Sequence, residues 1–248
     1  MNDWFKSFYS RAFSDVTYTT ENDAVAVARF FTKIAGRPCK ILDQCCGNGT
    51  IDIALAKCGH SVVGVDTSSR AIENAKVARA RELDGRAVTN ADFVEFKVGD
   101  VRDYFEDQAF DACTSWHSSC AYSEDDATNI KQFENMSRSL RDGGLFVIDT
   151  MNPDYIRKHF KPVRTDIINN STVYRDYRLD EEDNMLKSKW YVSESGDMLF
   201  GQTKLYTLPQ YAEMLASVGL CIERAVGGYS FEELTDDVGR LIMIGVKA

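Results

Sequence analysis

The stretch ILDQCCGNG, residues 41–49, decides how the chain is read. Ile41 and Leu42 close a short buried strand, Asp43 stands at its end, and Gly47-Asn48-Gly49 makes a tight turn. The next residues, TIDIALAK at 50–57, carry apolar side chains at Ile51, Ile53, Ala54 and Leu55, which suits a helix packed on a sheet. Strand, glycine-rich turn and helix in that order form the first crossover of a doubly wound nucleotide-binding fold. Without a Cβ, Gly47 and Gly49 let the backbone come close to a ligand.

Upstream, apolar residues at helical spacing predict a helix over 21–35, closed by Gly36 and Pro38. Residues 1–20 are crowded with aromatics, Trp4, Phe5, Phe8, Tyr9, Phe13 and Tyr18. They read either as a helix covering the sheet edge or as an aromatic lid that excludes water. Downstream, strands are expected near 60–66, 93–98, 110–115 and 145–149, with helices over 68–81 and 130–140 and a turn at 141–144. From 163 to 206 polar and apolar residues alternate between turn signals, which predicts about three antiparallel strands inserted after strand 5. A helix over 208–218 and strands near 220–226 and 241–246 close the chain. The expected fold is α/β: a Rossmann-like doubly wound, seven-stranded, mostly parallel sheet with an antiparallel last strand and an antiparallel β insertion. A single domain accounts for all 248 residues: a helical lid (1–35), a ligand-binding core (36–150), the β insertion (155–206) and the completion of the sheet (207–248).

A net charge of −9 argues against a nucleic-acid partner, because phosphate-backbone affinity comes from clustered Lys and Arg. Seven cysteines without a CxxC pair, and only three histidines, give no zinc pattern, so no metal is expected. The cysteines suit a reducing compartment. With neither a signal peptide nor an apolar run of about 20 residues, the expectation is a soluble cytoplasmic protein without a membrane partner.

Acids end three successive predicted strands, Asp43, Asp66 and Asp100, and in a parallel sheet such ends line one crevice. Asp66 is placed to accept both hydroxyls of a ribose. Asp100 suits an adenine amino group, with Val101 offering an amide and an apolar face. A dinucleotide fingerprint requires a third glycine, and Asp52 stands there instead. A carboxylate near the helix N-terminus would oppose a diphosphate. That disfavours an NAD-dependent oxidoreductase and points to S-adenosylmethionine, whose ammonium Asp43 is expected to hold.

The blocks LDQCCGNG (42–49), VVGVD (62–66), VGDV (98–101), FDACTSW (110–116) and LRDGGLFVID (140–149) resemble those of class I S-adenosylmethionine-dependent methyltransferases. Within them the chain is similar to a small-molecule group with a CCG turn and an SFGYF-like loop after strand 4, where Ser119-Cys120-Ala121-Tyr122 stands here. The resemblance implies cofactor contacts from Asp43, Cys45, Gly47, Asn48, Gly49, Asp66, Thr67, Asp100, Val101 and Trp116, with S-adenosylhomocysteine as product. It also implies a small-molecule acceptor methylated at nitrogen or oxygen, and a monomer or homodimer. The chain departs from the pattern where Cys45 replaces the first turn glycine, Ala121 the loop glycine, and Thr50-Ile51 the frequent Arg-His.

His117, directly after strand 4, is the candidate general base, since an unperturbed histidine titrates near pH 6.5. Tyr9, Tyr18, Tyr174 and Trp190 are candidates to contact the acceptor, with Arg175 and Tyr206 beside them. Asn152-Pro153-Asp154-Tyr155 reads as a turn opening a helix. A non-catalytic S-adenosylmethionine-binding module is the alternative from a different class.

Overall fold

The computed structural model describes residues 19–83, 94–168 and 171–248. Thr20 opens helix α1 (Glu21–Ala35) with a capping box: its hydroxyl accepts from the Asp23 amide at 3.1 Å, and the Asp23 carboxylate accepts from the Thr20 amide at 3.3 Å. Ala24, Val27, Ala28, Phe30 and Phe31 recur at helical spacing and are all buried. Residues 21–35 are therefore a core layer, not the part of a lid that the sequence suggested. Tyr9, Tyr18 and the other aromatics of the proposed lid lie outside the described residues.

The core then alternates: β1 (Lys40–Gln44), α2 (Thr50–Lys57), β2 (Ser61–Asp66), α3 (Ser69–Leu83), β3 (Val94–Val98), β4 (Phe110–Ser115), α4 (Asp126–Ser139) and β5 (Leu140–Met151). The expected turn at 141–144 falls within β5, where Arg141, Asp142 and Gly143 are exposed and pairing with β4 breaks after Leu140 and resumes at Leu145. Asn152 then caps α5 (Pro153–Lys158) through its side chain, accepting from the Asp154 amide at 3.2 Å. The insertion holds four strands where three were expected, β6 (Val163–Ile168), β7 (Ser171–Asp180), β8 (Met185–Val192) and β9 (Met198–Lys204), and they form a sheet of their own. Helix α6 (Leu208–Ser217) leads to β10 (Leu220–Val226) and β11 (Arg240–Lys247). The seven-stranded sheet runs β10-β11-β5-β4-β1-β2-β3, and only β11 is antiparallel to the five core strands. One face of this sheet packs against α4 and α6 through Phe133, Met136, Tyr211 and Leu215, the other against α1 and α2 through Phe31, Ile51 and Leu55.

Period-2 alternation sorts the inserted sheet. Arg175, Tyr177, Leu186, Ser188 and Trp190 share the inner face, over the carboxyl ends of the core strands. Tyr174 and Tyr191, one residue out of phase with Arg175 and Trp190, point outward and stack at 6.2 Å. Tyr174 is 48% exposed on that outer face, which removes it from the expected acceptor contacts.

Helix α2 sits unusually close to the sheet. A Cβ on Gly49, at φ +72°, would stand 2.4 Å from Phe96 Cζ. One on Gly64 of β2 would stand 2.7 Å from Asp52 Oδ1 and 2.8 Å from Cys46 Sγ. The Asp52 carboxyl thus fills the helix–strand gap over Gly64, is fully buried, and has no hydrogen-bond partner on either oxygen among the described residues. This corrects the expectation that Asp52 would confront a diphosphate, because its side chain faces β2 and not the turn. Burial, reinforced by the nearby charge of Asp43, pushes its pKa well above the usual carboxylate range.

Two outcomes follow for stability. Gly49→Ala should cost about 2–4 kcal/mol, from overpacking on Phe96 together with the left-handed backbone, read as a lower urea midpoint at unchanged slope. An acid raised in the folded state binds its proton more tightly there than in the unfolded chain, so its contribution to stability is lost as pH climbs from about 4 towards the folded pKa. Asp52→Asn should therefore gain on the parent protein as pH rises from 4 to 8, by up to about 1.4 kcal/mol per unit. Parallel urea curves at every pH would refute the buried-acid assignment.

Candidate active site

The carboxyl ends of β1, β2, β4 and β5 open on one cleft of about 980 Å³, roofed by the inner face of the inserted sheet. Ligands of open α/β sheets bind at such a crevice. The loop after β4 anchors the roof: the Lys204 amide donates to Ala121 O at 2.8 Å, and Gln202 Nε2 to Tyr122 O at 3.2 Å.

On the core side, Asp43 is 2% exposed and accepts a 2.6 Å hydrogen bond from Thr114 Oγ1 on the adjacent strand. Burial raises its pKa to about 7, against the Thr114 bond and with a further push from the charge of Asp66. Asp66 Oδ2 accepts from the Gly47 amide at 2.9 Å and Oδ1 from the Ser68 amide at 2.8 Å. Burial pushes this acid up as well, and those backbone donors oppose it. Gly47 has no atom within 4 Å of the place a Cβ would take, so the turn presents an open backbone cradle. Cys45, Asn48 and Thr67 line the same half of the cleft. Gly49 does not line it: its missing Cβ serves the packing on Phe96, which corrects its expected ligand contact. Cys45, in place of the usual glycine, holds φ +65°, and Ala121 at the loop glycine holds φ +62°.

Asp100 and Val101 also reach the cleft. The Asp100 carboxylate is already gripped by Arg102, with Nε to Oδ1 at 2.9 Å and Nη2 to Oδ2 at 2.5 Å. That fork was missed because Arg102 lies beyond the VGDV block. Trp116 lines the cleft, and its buried indole N–H has no partner among the described residues.

Elsewhere on the cleft wall, β4 runs on through Trp116 to His117 at φ +54° and Ser118 at φ +62°. The His117 amide donates to Asp149 Oδ2 at 3.0 Å, and the same oxygen accepts from Tyr229 Oη and Arg240 Nη1, each at 2.7 Å. Asp149, at the end of β5, is fully buried. The sequence reading passed over this hub, although LFVID ends in an acid just as strands 1 and 2 do. His117 Nδ1 lies 3.0 Å from Thr19 Oγ1, while Nε2 is buried with no partner among the described residues. Burial lowers the His117 pKa, with Asp149 opposing and Arg240 adding to the fall, so the ring is neutral at pH 7.

The roof contributes Trp190, with the Arg175 guanidinium 4.5 Å from its ring, and Tyr177, Leu186 and Ser188. Tyr206 does not reach the cleft: it is buried, receives a 2.9 Å bond from Asn129 Nδ2 and donates to Asp126. Among the described residues no group of three His, Cys, Asp or Glu could hold a metal, and no helix is long and apolar enough to cross a membrane.

Residues 36–213 match the family model described as a methyltransferase domain. The cypemycin N-terminal methyltransferase of a Streptomyces species is 29% identical over 113 residues, which cover 46% of this chain and 42% of that protein. The chain therefore spans less than half the length of that relative. The CcbJ methyltransferase of Streptomyces caelestis superimposes with a TM-score of 0.81 at 16% identity, over 97% of this chain and 98% of its own. A SAM-bound amino pentose methyltransferase from Micromonospora echinaspora gives 0.66 at 21% identity, over 92% and 91%. Both show the same α/β fold. With the glycine turn, the strand-end acids and a family match across most of its length, the chain belongs to the methyltransferase domain family.

Proposed function

We propose that this chain uses S-adenosylmethionine to methylate a small molecule at nitrogen or oxygen. The observation that carries the reading is the Gly47–Asp66 hydrogen bond beside an unobstructed turn, which sets a buried carboxylate next to exposed backbone in one cleft. Such a floor fits a nucleoside with an amino-acid tail. Asp66 would accept from the ribose hydroxyls, and Asp43 would offer a negative charge to an ammonium. Asn48, Thr67, Val101 and Trp116 would complete the walls, with Asp100 held in place by Arg102. When bound, the cofactor supplies an electrophilic methyl group on a sulfonium.

The residues of the acceptor half would orient a nucleophile and exclude water, and orientation is worth roughly 7–11 kcal/mol of barrier. Neutral His117, whose Nε2 has no partner among the described residues, would take the proton that an ammonium or phenol must lose. A net charge of −9, with Asp23, Glu124 and Asp125 at the cleft, suits a small acceptor better than a nucleic acid. A cytoplasmic monomer or homodimer fits this reading.

Calorimetry should show binding of S-adenosylmethionine and S-adenosylhomocysteine, weakened at least about tenfold in Asp66→Ala, since an ionised acceptor for the ribose is lost. Binding of NAD alone would sink the proposal. Methyl-labelled cofactor incubated with the small-molecule fraction of a cell extract should label at least one metabolite, and a protein that binds but labels none is a non-catalytic module. His117→Gln should lower that labelling by about 10²–10⁴-fold with cofactor affinity preserved, as expected for a general base.

A further inference from the structure

The Thr19–His117 contact joins two rigid ends. Thr19 directly precedes Thr20, whose capping box with Asp23 fixes the entry to α1. His117 is pinned by its own amide on Asp149 and by its left-handed backbone. Between them, Oγ1 and Nδ1 are 3.0 Å apart. A neutral imidazole carries one N–H, so this bond has two forms. If the hydroxyl donates to Nδ1, the hydrogen sits on Nε2, a buried atom with no acceptor among the described residues. If Nδ1–H donates to the hydroxyl, the hydrogen sits on the bonded nitrogen and Nε2 carries only a lone pair. A buried orphan N–H is the rarer and costlier outcome, so the second form prevails.

We infer that Thr19 is a positioning residue, which accepts from Nδ1–H and thereby fixes His117 in the tautomer whose Nε2 is free to take a proton. The inference rests on the reading of His117 as the base. The proton leaves an acceptor ammonium N–H or phenol O–H for Nε2, the bonding pair stays on that nitrogen or oxygen as its nucleophilic pair, and the resulting imidazolium keeps Nδ1–H on Thr19. The groups facing His117 are Asp149 from β5, Arg240 from β11, Asp23 from α1 and the Tyr229 hydroxyl of the loop before β11. None of them is shown bonding either ring nitrogen.

Nitrogen NMR of histidine-labelled full-length protein reads the tautomer without any acceptor. His60 supplies the opposite tautomer in the same spectrum, because its Nδ1 accepts from the Cys39 amide at 3.1 Å. His159→Gln and His117→Gln assign the remaining signals. At pH 7.5 the parent protein should hold His117 as Nδ1–H by at least about tenfold, Thr19→Ser should keep that preference, and Thr19→Val should lose it. An Nε2–H signal for His117 in the parent protein overturns the inference even if Thr19→Val does not fold. So does a folded Thr19→Val with an unchanged tautomer. Failure of the base reading shows elsewhere, as undiminished methyl labelling by His117→Gln.

Discussion

One hydrogen bond organises the cofactor half: the Gly47 amide held at 2.9 Å on Asp66 Oδ2. It ties the turn after β1 to the end of β2 across the parallel pair, while the Cys45 and Cys46 amides close on Val65 O at 2.8 and 3.1 Å. The turn is therefore stitched to its neighbouring strand by three bonds before any ligand arrives. A carboxylate paired with backbone donors cannot swing away. The open side of Gly47 is left facing the cleft.

The acids around that turn divide the work by environment. Asp43 has a donor in Thr114 and faces the cleft, so its ionised form is available to a cation. Among the described residues Asp52 has no donor, and it faces Gly64, so it fills the helix–strand gap and does not line the cleft. Side-chain direction, not residue type, separates the two roles.

Direction is also what the sequence could not supply. The strand-end pattern revealed the sheet, the cleft and Asp43 and Asp66, because periodicity and chain order dictate them. Asp52, Tyr174 and Gly49 were misread because each needed a facing: towards β2, towards solvent and towards Phe96. Asp149, Tyr229 and Arg240 come from β5, the loop before β11 and β11 itself, and meet only through antiparallel pairing of β11 with β5. Arg240 lies 91 residues from Asp149, and no local motif announces so distant a partner. Thr19 meets His117 across 98 residues for the same reason.

Strain completes the case for where the chemistry lies. Of the seven described non-glycine residues with positive φ, Cys45, His117 and Ser118 line the cleft, and Ala121 stands in the loop beside it. Each such residue costs roughly 1–2 kcal/mol, and consecutive ones at His117 and Ser118 persist only if neighbours over-determine them. Asp149 does so, because it is buried, accepts the His117 amide and is itself held by Tyr229 and Arg240, while the Ser118 amide bonds Asp149 O at 2.8 Å. Both the side chain and the backbone of one residue thus grip the bend. A loop that merely connected β4 to α4 would have no need of that grip. That grip holds the bend at the wall of the roofed cleft, where His117 and Ser118 both lie.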